Sequence, residues 1–183
     1  KVLVKIVISR LKLLRNKRSI RIRQARLDIA QLLGNRQYQS CFKRVEFLFK
    51  EQNLLDGYDM VDNFCECILK RLSYIRRHKD RPQDINEGVS SLIYASARCA
   101  DLPELQCLRS LFAKRYGHEF AYAAVESHPD SCVSQQIIEQ LSVRLPAHDL
   151  KLKLMKDIAI EFDLQWDSSN IETELGEPSK NSL

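Results

Sequence analysis

Glycine and proline are scarce in this chain of 183 residues, which contains only five of each. A sandwich or barrel of short strands needs frequent turns, and those turns draw on these two residue types. Their scarcity excludes a turn-rich β fold and favours helices. Hydrophobic residues make up 44% of the chain and charged residues 29%, which is typical of a folded globular protein rather than a disordered one.

Long apolar runs are also lacking. The stretch from Val2 to Ile8 is interrupted by Lys5 and is far shorter than the ~20 residues of a transmembrane helix. It also lacks the cleavage site of a secretory signal. The six cysteines fall within or beside helical apolar patterns, so we interpret them as reduced thiols of a cytosolic protein, most of them buried. Because the chain begins with Lys1, we expect it to be a domain of a longer protein.

Positive charge is concentrated near the start of the chain. Residues 1–50 contain 14 Lys and Arg against two acids, and the other residues contain 15 Lys and Arg against 22 acids. The first part therefore carries +12 and the rest −7, within a net charge of +5. This asymmetry predicts a surface that binds an anionic partner, which is nucleic acid, acidic lipid or the acidic face of another protein.

Two long helices are predicted in the first half of the chain. Neither Gly nor Pro occurs from Lys1 to Leu33, and the apolar residues there follow helical spacing. Gly34-Asn35 is expected to end this helix and to cap a second one, which runs from about Arg36 to Arg77. Because the connection is short, we predict an antiparallel αα-hairpin.

The first helix has two apolar faces with a row of cations between them. The first face contains Val4, Val7, Leu11, Leu14, Ile22, Ala25, Ile29 and Leu32. The second apolar row contains Val2, Ile6, Leu13, Ile20 and Leu27. The basic row contains Lys1, Lys5, Lys12, Arg15, Arg23 and Arg26. Such a helix must bury both apolar faces, so we expect the later helices or another subunit to cover the second row.

Shorter helices are predicted for the remainder. Asp80 and Gln83 have the spacing of a capping box, and Asp101-Leu-Pro-Glu104 has the features of a helix start. The predicted helices cover residues 85–100, a segment from the N-cap at 101 to 116, 118–126, 134–143 and 147–162. The fold class is therefore all-α, a long antiparallel hairpin with shorter helices packed on it. We expect a helical core over residues 1–166 and a flexible tail over 167–183.

The pattern contains no catalytic or metal-binding signature. The four histidines fall in separate segments, and Cys65 and Cys67 would point about 200° apart on a helix. His118-Glu119 begins like a zinc-protease motif, but Tyr122 stands at the position of the second histidine. We therefore predict a protein that is not an enzyme and that has neither a cofactor nor a metal site.

The basic row is the candidate binding site. Most charge runs are solvated helix faces, but these cations have few local acids to neutralise them. Near an acidic membrane each Lys or Arg contributes about 1 kcal/mol. The predicted binding residues are Lys5, Lys12, Arg15, Arg23 and Arg26. A helical nucleic-acid-binding module is the alternative, although no aromatic residues interleave with the row and no known reader motif occurs.

Motifs along nearly the whole chain, in order and at the right spacing, resemble the Increased Sodium Tolerance family, in particular its plant branch. They are Arg10-Leu-Lys-Leu-Leu14, Gln24-Ala-Arg-Leu-Asp-Ile-Ala-Gln-Leu-Leu33, Arg44-Val-Glu46, Ser91-Leu-Ile-Tyr-Ala95, Asp101-Leu-Pro-Glu-Leu105, Lys114-Arg-Tyr-Gly-His-Glu-Phe120, Ile158-Ala-Ile-Glu161 and Trp166-Asp167. The resemblance implies an ESCRT-III-like core that acts in endosomal multivesicular body sorting, in the cytoplasm and at the endosomal surface.

The same resemblance implies partners. These are other ESCRT-III subunits, and an AAA ATPase and MIT-domain proteins that bind C-terminal motifs absent from this chain. It places Lys5 at a position that contacts a neighbouring subunit. It also implies that a partner's C-terminal helix docks on the later helices. Leu105, Leu108 and Phe112 form an apolar row there, which we interpret either as part of that groove or as core.

Overall fold

The structure is a computed structural model that describes residues 1–165. Within this range it is helical, without strands. The helices are α1 (Val2–Gly34), α2 (Tyr38–Arg77), α3 (Gln83–Ser96), α4 (Glu104–Tyr116), α5 (His118–Val125), α6 (Gln135–Leu141) and α7 (His148–Glu161). A short 3-10 turn covers Pro129–Ser131. The all-α hairpin fold is confirmed, and the predicted tail over 167–183 lies outside the described residues.

The chain forms two compact units. The first contains residues 1–18 and 53–143, and the second contains residues 19–52 and 144–165. In the first unit, Val4, Val7 and Leu11 of α1 are buried in one core cluster with residues of α2 to α6. The first apolar face of α1 is thus buried in this core, as the helical spacing of its residues predicts.

The second unit has a core of its own. Here Ala25 and Ile29 of α1 share a buried cluster with Val45 and Leu48 of α2 and with Met155 of α7. The two long helices run antiparallel in this unit, since polar contacts join Arg21 to Glu51 and Asp28 to Arg44. A residue further along α1 therefore contacts a residue nearer the start of α2, as in an antiparallel hairpin.

The turn of the hairpin is made by the backbone. Gly34 is the last residue of α1, and Arg36 takes the left-handed conformation with a φ of 56°. The N–H of Gln37 donates to the carbonyl of Leu32 at 2.9 Å, and the N–H of Arg36 donates to that of Leu33 at 3.1 Å. This is the hydrogen-bond pattern of a Schellman motif. The prediction that Gly34 ends the first helix is confirmed. The expected role of Asn35 as the cap of the second helix is wrong, because α2 begins only at Tyr38.

The start of α3 also differs from the prediction. Pro82 occupies the N-cap position, and no side chain caps the helix. Asp80 instead accepts a hydrogen bond from the hydroxyl of Tyr74. The expected capping box is therefore wrong, because a tertiary donor binds the Asp80 carboxylate. Asp101 likewise binds Arg18 rather than capping α4, which has Pro103 at its N-cap position.

Candidate functional site

The second apolar row of α1 is exposed. Val2, Leu13 and Ile20 keep 73%, 70% and 65% of their surface accessible, and Ile6 and Leu27 are about half exposed. The expectation that the later helices cover this row is wrong for residues 1–165. The physical reason is that the first apolar face of α1 already supplies the contacts to both cores, which leaves the second row facing outward.

The basic row divides into internally paired and unpaired cations. The Nε of Arg15 donates to Asp59, and its Nη1 donates to Oδ2 of Asp62 at 2.6 Å. Burial by itself lowers the pKa of Arg15, but hydrogen bonds and the charges of the two aspartates outweigh it, so the pKa is raised. Arg15 is therefore held within the first unit rather than presented to a partner.

Arg26 is paired in the second unit. Its Nε donates to Oε2 of Glu161, at the end of α7, at 2.8 Å. The sequence showed few local acids to neutralise the basic row, but acids distant in the sequence neutralise Arg15 and Arg26. Further arginines of α1, outside the predicted row, are paired as well. These pairs are Arg10–Glu104, Arg18–Asp101 and Arg21–Glu51.

The remaining predicted cations stay available. Lys5, Lys12 and Arg23 are exposed, and no residue between 1 and 165 forms an ion pair with them. Lys17 belongs to the same group, although the sequence analysis did not select it. At 100° per residue, Lys5 and Lys12 lie on one side of the exposed apolar row and Lys17 lies on the other. The candidate site is therefore an apolar strip bordered by unpaired lysines.

The later helices do not form the groove that the apolar row suggested. Leu105, Leu108 and Phe112 are buried in the core of the first unit. They therefore hold α4 in place and do not line an open surface. The sequence could not distinguish these two roles, because a core row and a groove row have the same helical spacing.

A shallow groove instead follows the outer surface of α4 and α5. Its volume is about 570 Å³, and it is lined by side chains that include Gln106, Arg109, Ser110, Lys114, His118 and Tyr122. Three of these side chains are basic, and Tyr122 is largely exposed. The groove can therefore accept an amphipathic segment that carries acidic groups. The sequence feature that could have indicated this groove is the polar face of α4, which lies opposite its apolar row.

The buried thiols are poor candidates for chemistry. Burial raises the pKa of Cys41, Cys65 and Cys99 to about 12 in each case. Such thiols stay protonated near neutral pH and are weak nucleophiles and metal ligands. Within the described part of the chain, no three side chains of His, Cys, Asp or Glu are grouped as metal ligands would be.

None of the helices described between residues 1 and 165 has the length and apolar character to cross a membrane.

This fold is found in a solved structure. The crystal structure of the N-terminal domain of Saccharomyces cerevisiae Ist1, in complex with the Did2 MIM motif, matches all of this chain and 95% of that chain. The TM-score is 0.82 and the sequence identity is 27%. The hairpin and its attached helices therefore define an ESCRT-III-like helical core. The family model for Ist1, described as a regulator of Vps4 activity in the MVB pathway, matches residues 1–165. The chain belongs to the Ist1 family.

Curated relatives agree with this assignment. An IST1-like protein of Dictyostelium discoideum is 26% identical over 170 residues, which are 93% of this chain and 46% of that protein. The vacuolar protein sorting-associated protein IST1 of Saccharomyces cerevisiae is 29% identical over 198 residues, covering 98% of this chain and 65% of that protein. The chain thus spans about half to two thirds of the relatives' length. The resemblance to the Increased Sodium Tolerance family is confirmed, and the plant branch stays a prediction.

Proposed function

We propose that this chain is the ESCRT-III-like core of a non-catalytic regulator of a Vps4-type AAA ATPase in multivesicular body sorting. It acts in the cytoplasm and is recruited peripherally to endosomes. The observation that supports this proposal most strongly is the exposed face of α1. Lys5 and Lys12 lie there without an ion-pair partner among residues 1–165, whereas Arg15 nearby is paired internally. This face binds the acidic surface of another ESCRT-III-like subunit.

A second contact is proposed at the groove along α4 and α5. The solved yeast relative is in complex with the Did2 MIM motif. In this chain the cationic side chains of Arg109 and Lys114 along the groove suit a partner helix that carries acidic residues. We propose that contacts with the ATPase and with MIT-domain proteins are made mainly by C-terminal motifs that this chain does not contain.

Binding of an ESCRT-III-like subunit tests the subunit contact. Purified yeast Did2, the protein named in the related complex, is a defined probe for a pull-down. We expect Lys5→Glu combined with Lys12→Glu to weaken capture, because the introduced glutamates repel the acidic surface. Lys153→Glu, on an exposed position of α7, is the matched control and should bind as the unmodified chain does. Equal capture of both variants would contradict the proposed role of α1.

The ATPase readout tests the regulatory role. Vps4 activity is measured by phosphate release. We expect the chain to release no phosphate alone and to change the Vps4 rate less than full-length yeast IST1 does, because most ATPase contacts are proposed to lie in C-terminal motifs that this chain does not contain. Phosphatidylserine vesicles and duplex DNA serve as competing ligands at matched ionic strength. Saturable DNA binding through Lys5 and Lys12, without Did2 binding, would overturn the proposal in favour of a nucleic-acid-binding module.

A further inference from the structure

Two guanidinium groups lie beside the ring of Tyr116, the last residue of α4. The Cζ atom of Arg81 lies 5.3 Å from the centroid of this ring, and the Cζ atom of Arg115 lies 5.6 Å from it. The Cζ atom of Arg81 also lies 3.8 Å from the centroid of the Phe120 ring, in α5. Two positive charges are therefore held against one aromatic cluster of the first unit.

Neither of these guanidinium groups has a carboxylate partner. No acid between residues 1 and 165 forms an ion pair with Arg81 or Arg115. Asp80, although it is next to Arg81 in the chain, accepts a hydrogen bond from the hydroxyl of Tyr74 instead. Like charges that lie close together repel each other unless an anion neutralises them. The arrangement therefore favours the binding of an anion.

Each of the three side chains around the ring also has a buried polar atom without a hydrogen-bond partner. These atoms are Nη1 of Arg81, Nε of Arg115 and the hydroxyl oxygen of Tyr116. Arg115 uses its Nη2 for the carbonyls of Ile75 and His78, so its Nε is left over. A buried donor without an acceptor costs free energy, and an acceptor that binds there recovers this cost.

The number and the charge of these donors indicate a phosphate group. A phosphate monoester carries a charge of about −1.5 to −2 near neutral pH and has three strong acceptor oxygens. It can thus neutralise both guanidinium groups and accept hydrogen bonds from all three donors. A carboxylate has a single charge and only two oxygens. Guanidinium groups also bind phosphate oxygens in a bidentate geometry.

Further cations lie next to these residues in the chain. Arg76 and Arg77 are in the last turn of α2, Lys79 follows the helix, and all three are exposed. No acid between residues 1 and 165 forms an ion pair with them. Arg81 lies in the same connection, outside both helices, and keeps part of its surface exposed, so an anion can reach it from solvent. A small ligand with several phosphates suits this group of cations best.

We propose that Arg81, Arg115 and Tyr116 form a binding site for a phosphate monoester group, and that inositol phosphates are the class of ligand it takes. The same phosphates occur on a soluble inositol phosphate and on the headgroup of a phosphoinositide lipid. The proposal does not depend on the proposed function, because none of the three residues belongs to α1 or lines the groove along α4 and α5.

Isothermal titration calorimetry with inositol trisphosphate tests this site. We expect saturable binding to the unmodified chain. Arg81→Met should weaken it roughly tenfold, because a charge-assisted hydrogen bond is lost. The thioether keeps the contact with the aromatic rings, so the variant should stay folded. Arg144→Met removes the same charge from an exposed position outside the first unit and should bind normally.

Tyr116→Phe separates a binding role from a structural one. This substitution keeps the ring and removes only the hydroxyl group, which has no partner in the fold. We expect the affinity for inositol trisphosphate to fall several-fold while the melting temperature is not lowered. Unchanged affinity in Tyr116→Phe would overturn the assignment of its hydroxyl to the site, and unchanged affinity in Arg81→Met would overturn the site itself.

Other probes identify the ligand and its source. Vesicles of phosphatidylcholine with a phosphatidylinositol bisphosphate are compared with inositol trisphosphate at matched ionic strength. Tighter binding to the vesicles assigns the site to a lipid headgroup, and equal or weaker binding assigns it to a soluble inositol phosphate. Tighter binding of a glutamate-rich peptide at Arg81 would overturn the phosphate assignment, as would an equal loss of affinity in Arg144→Met.

A variant of α1 separates this proposal from the proposed function. Lys12→Glu should weaken Did2 capture and leave the affinity for inositol trisphosphate unchanged, whereas Arg81→Met should do the reverse. If Lys12→Glu weakened trisphosphate binding as much as Arg81→Met does, the anion would bind the general positive charge of the first unit, and the site around Tyr116 would be refuted. Failure of Did2 capture alone would leave this site unaffected.

Discussion

Arg15 and Lys12 belong to the same basic row but should respond differently to substitution. Arg15 makes charge-assisted hydrogen bonds to Asp59 and Asp62, whereas Lys12 is exposed and lacks an ion-pair partner among residues 1–165. Replacing Arg15 by Ala should therefore lower the free energy of unfolding, and replacing Lys12 by Ala should leave it nearly unchanged. The comparison decides which cations of the row belong to the fold and which are available for binding.

The magnitude follows from the burial of the two acids. Asp62 keeps 14% of its side chain exposed and Asp59 keeps 50%, so most of the loss comes from leaving Asp62 unpaired. One charge-assisted hydrogen bond to a largely buried group contributes about 2 kcal/mol. We expect Arg15→Ala to cost about 2 kcal/mol, and Lys12→Ala to stay within about 0.5 kcal/mol of the unmodified chain.

Urea denaturation followed by far-UV circular dichroism measures both values, with a shared slope confirming that the unfolding transition is unchanged. The functional counterpart is Did2 capture. Lys12→Glu should weaken capture at unchanged stability, whereas weaker capture in Arg15→Glu should accompany partial unfolding. If Arg15→Ala and Lys12→Ala had the same stability, the internal role of Arg15 would be refuted. A charge swap, Arg15→Asp with Asp62→Arg, should recover part of the lost stability.

Other expected outcomes concern the core and the helix ends. A Cβ at Gly57 would lie 2.6 Å from Cδ2 of Leu141. Gly57→Val should therefore lower the free energy of unfolding, measured by urea denaturation, by about 2 kcal/mol, and by less when Leu141 is replaced by Ala. Arg115 donates to the carbonyl of Ile75, in the last turn of α2, and to that of His78, just after α2. Arg115→Met should lower the free energy of unfolding by about 2 kcal/mol, and an unchanged value would count against that role. Three buried thiols stay protonated in the folded state at a pH where they ionise in the unfolded state, so stability should fall as the pH rises from about 9 towards 12. Replacing them by Ala should flatten this alkaline fall in denaturation measured across pH. These thiols are Cys41, Cys65 and Cys99.

The hairpin could be predicted because its signals are local and repeated. The absence of Gly and Pro before residue 34 and the helical spacing of Val4, Val7 and Leu11 define one buried face over many turns. The turn could not be predicted in detail. Gly is the usual left-handed residue at a helix end, but here the backbone bonds of the Schellman motif place Arg36 in that conformation.

The state of each cation could not be predicted, because its partner is distant in the sequence. The acids that bind Arg15 and Arg26 lie more than forty residues away, at Asp59, Asp62 and Glu161. A search for neutralising acids within one helical turn does not reach them. Spacing shows which residues share a helix face, but the tertiary fold decides whether that face is covered. The second apolar row and the row of Leu105, Leu108 and Phe112 were both ambiguous for this reason.

Along α1, arginine and lysine differ in whether the side chain forms an ion pair within the fold. The α1 cations in ion pairs with acids of other segments are arginines at 10, 15, 18, 21 and 26, whereas Lys5, Lys12 and Lys17 are exposed. The planar guanidinium holds a carboxylate in a fixed geometry and is desolvated easily, while the ammonium of lysine is strongly hydrated. Arginine therefore suits the pairs that tie α1 to its own fold. Lysine keeps the exposed strip soluble until an acidic partner displaces its water, and Arg23 is the exposed exception.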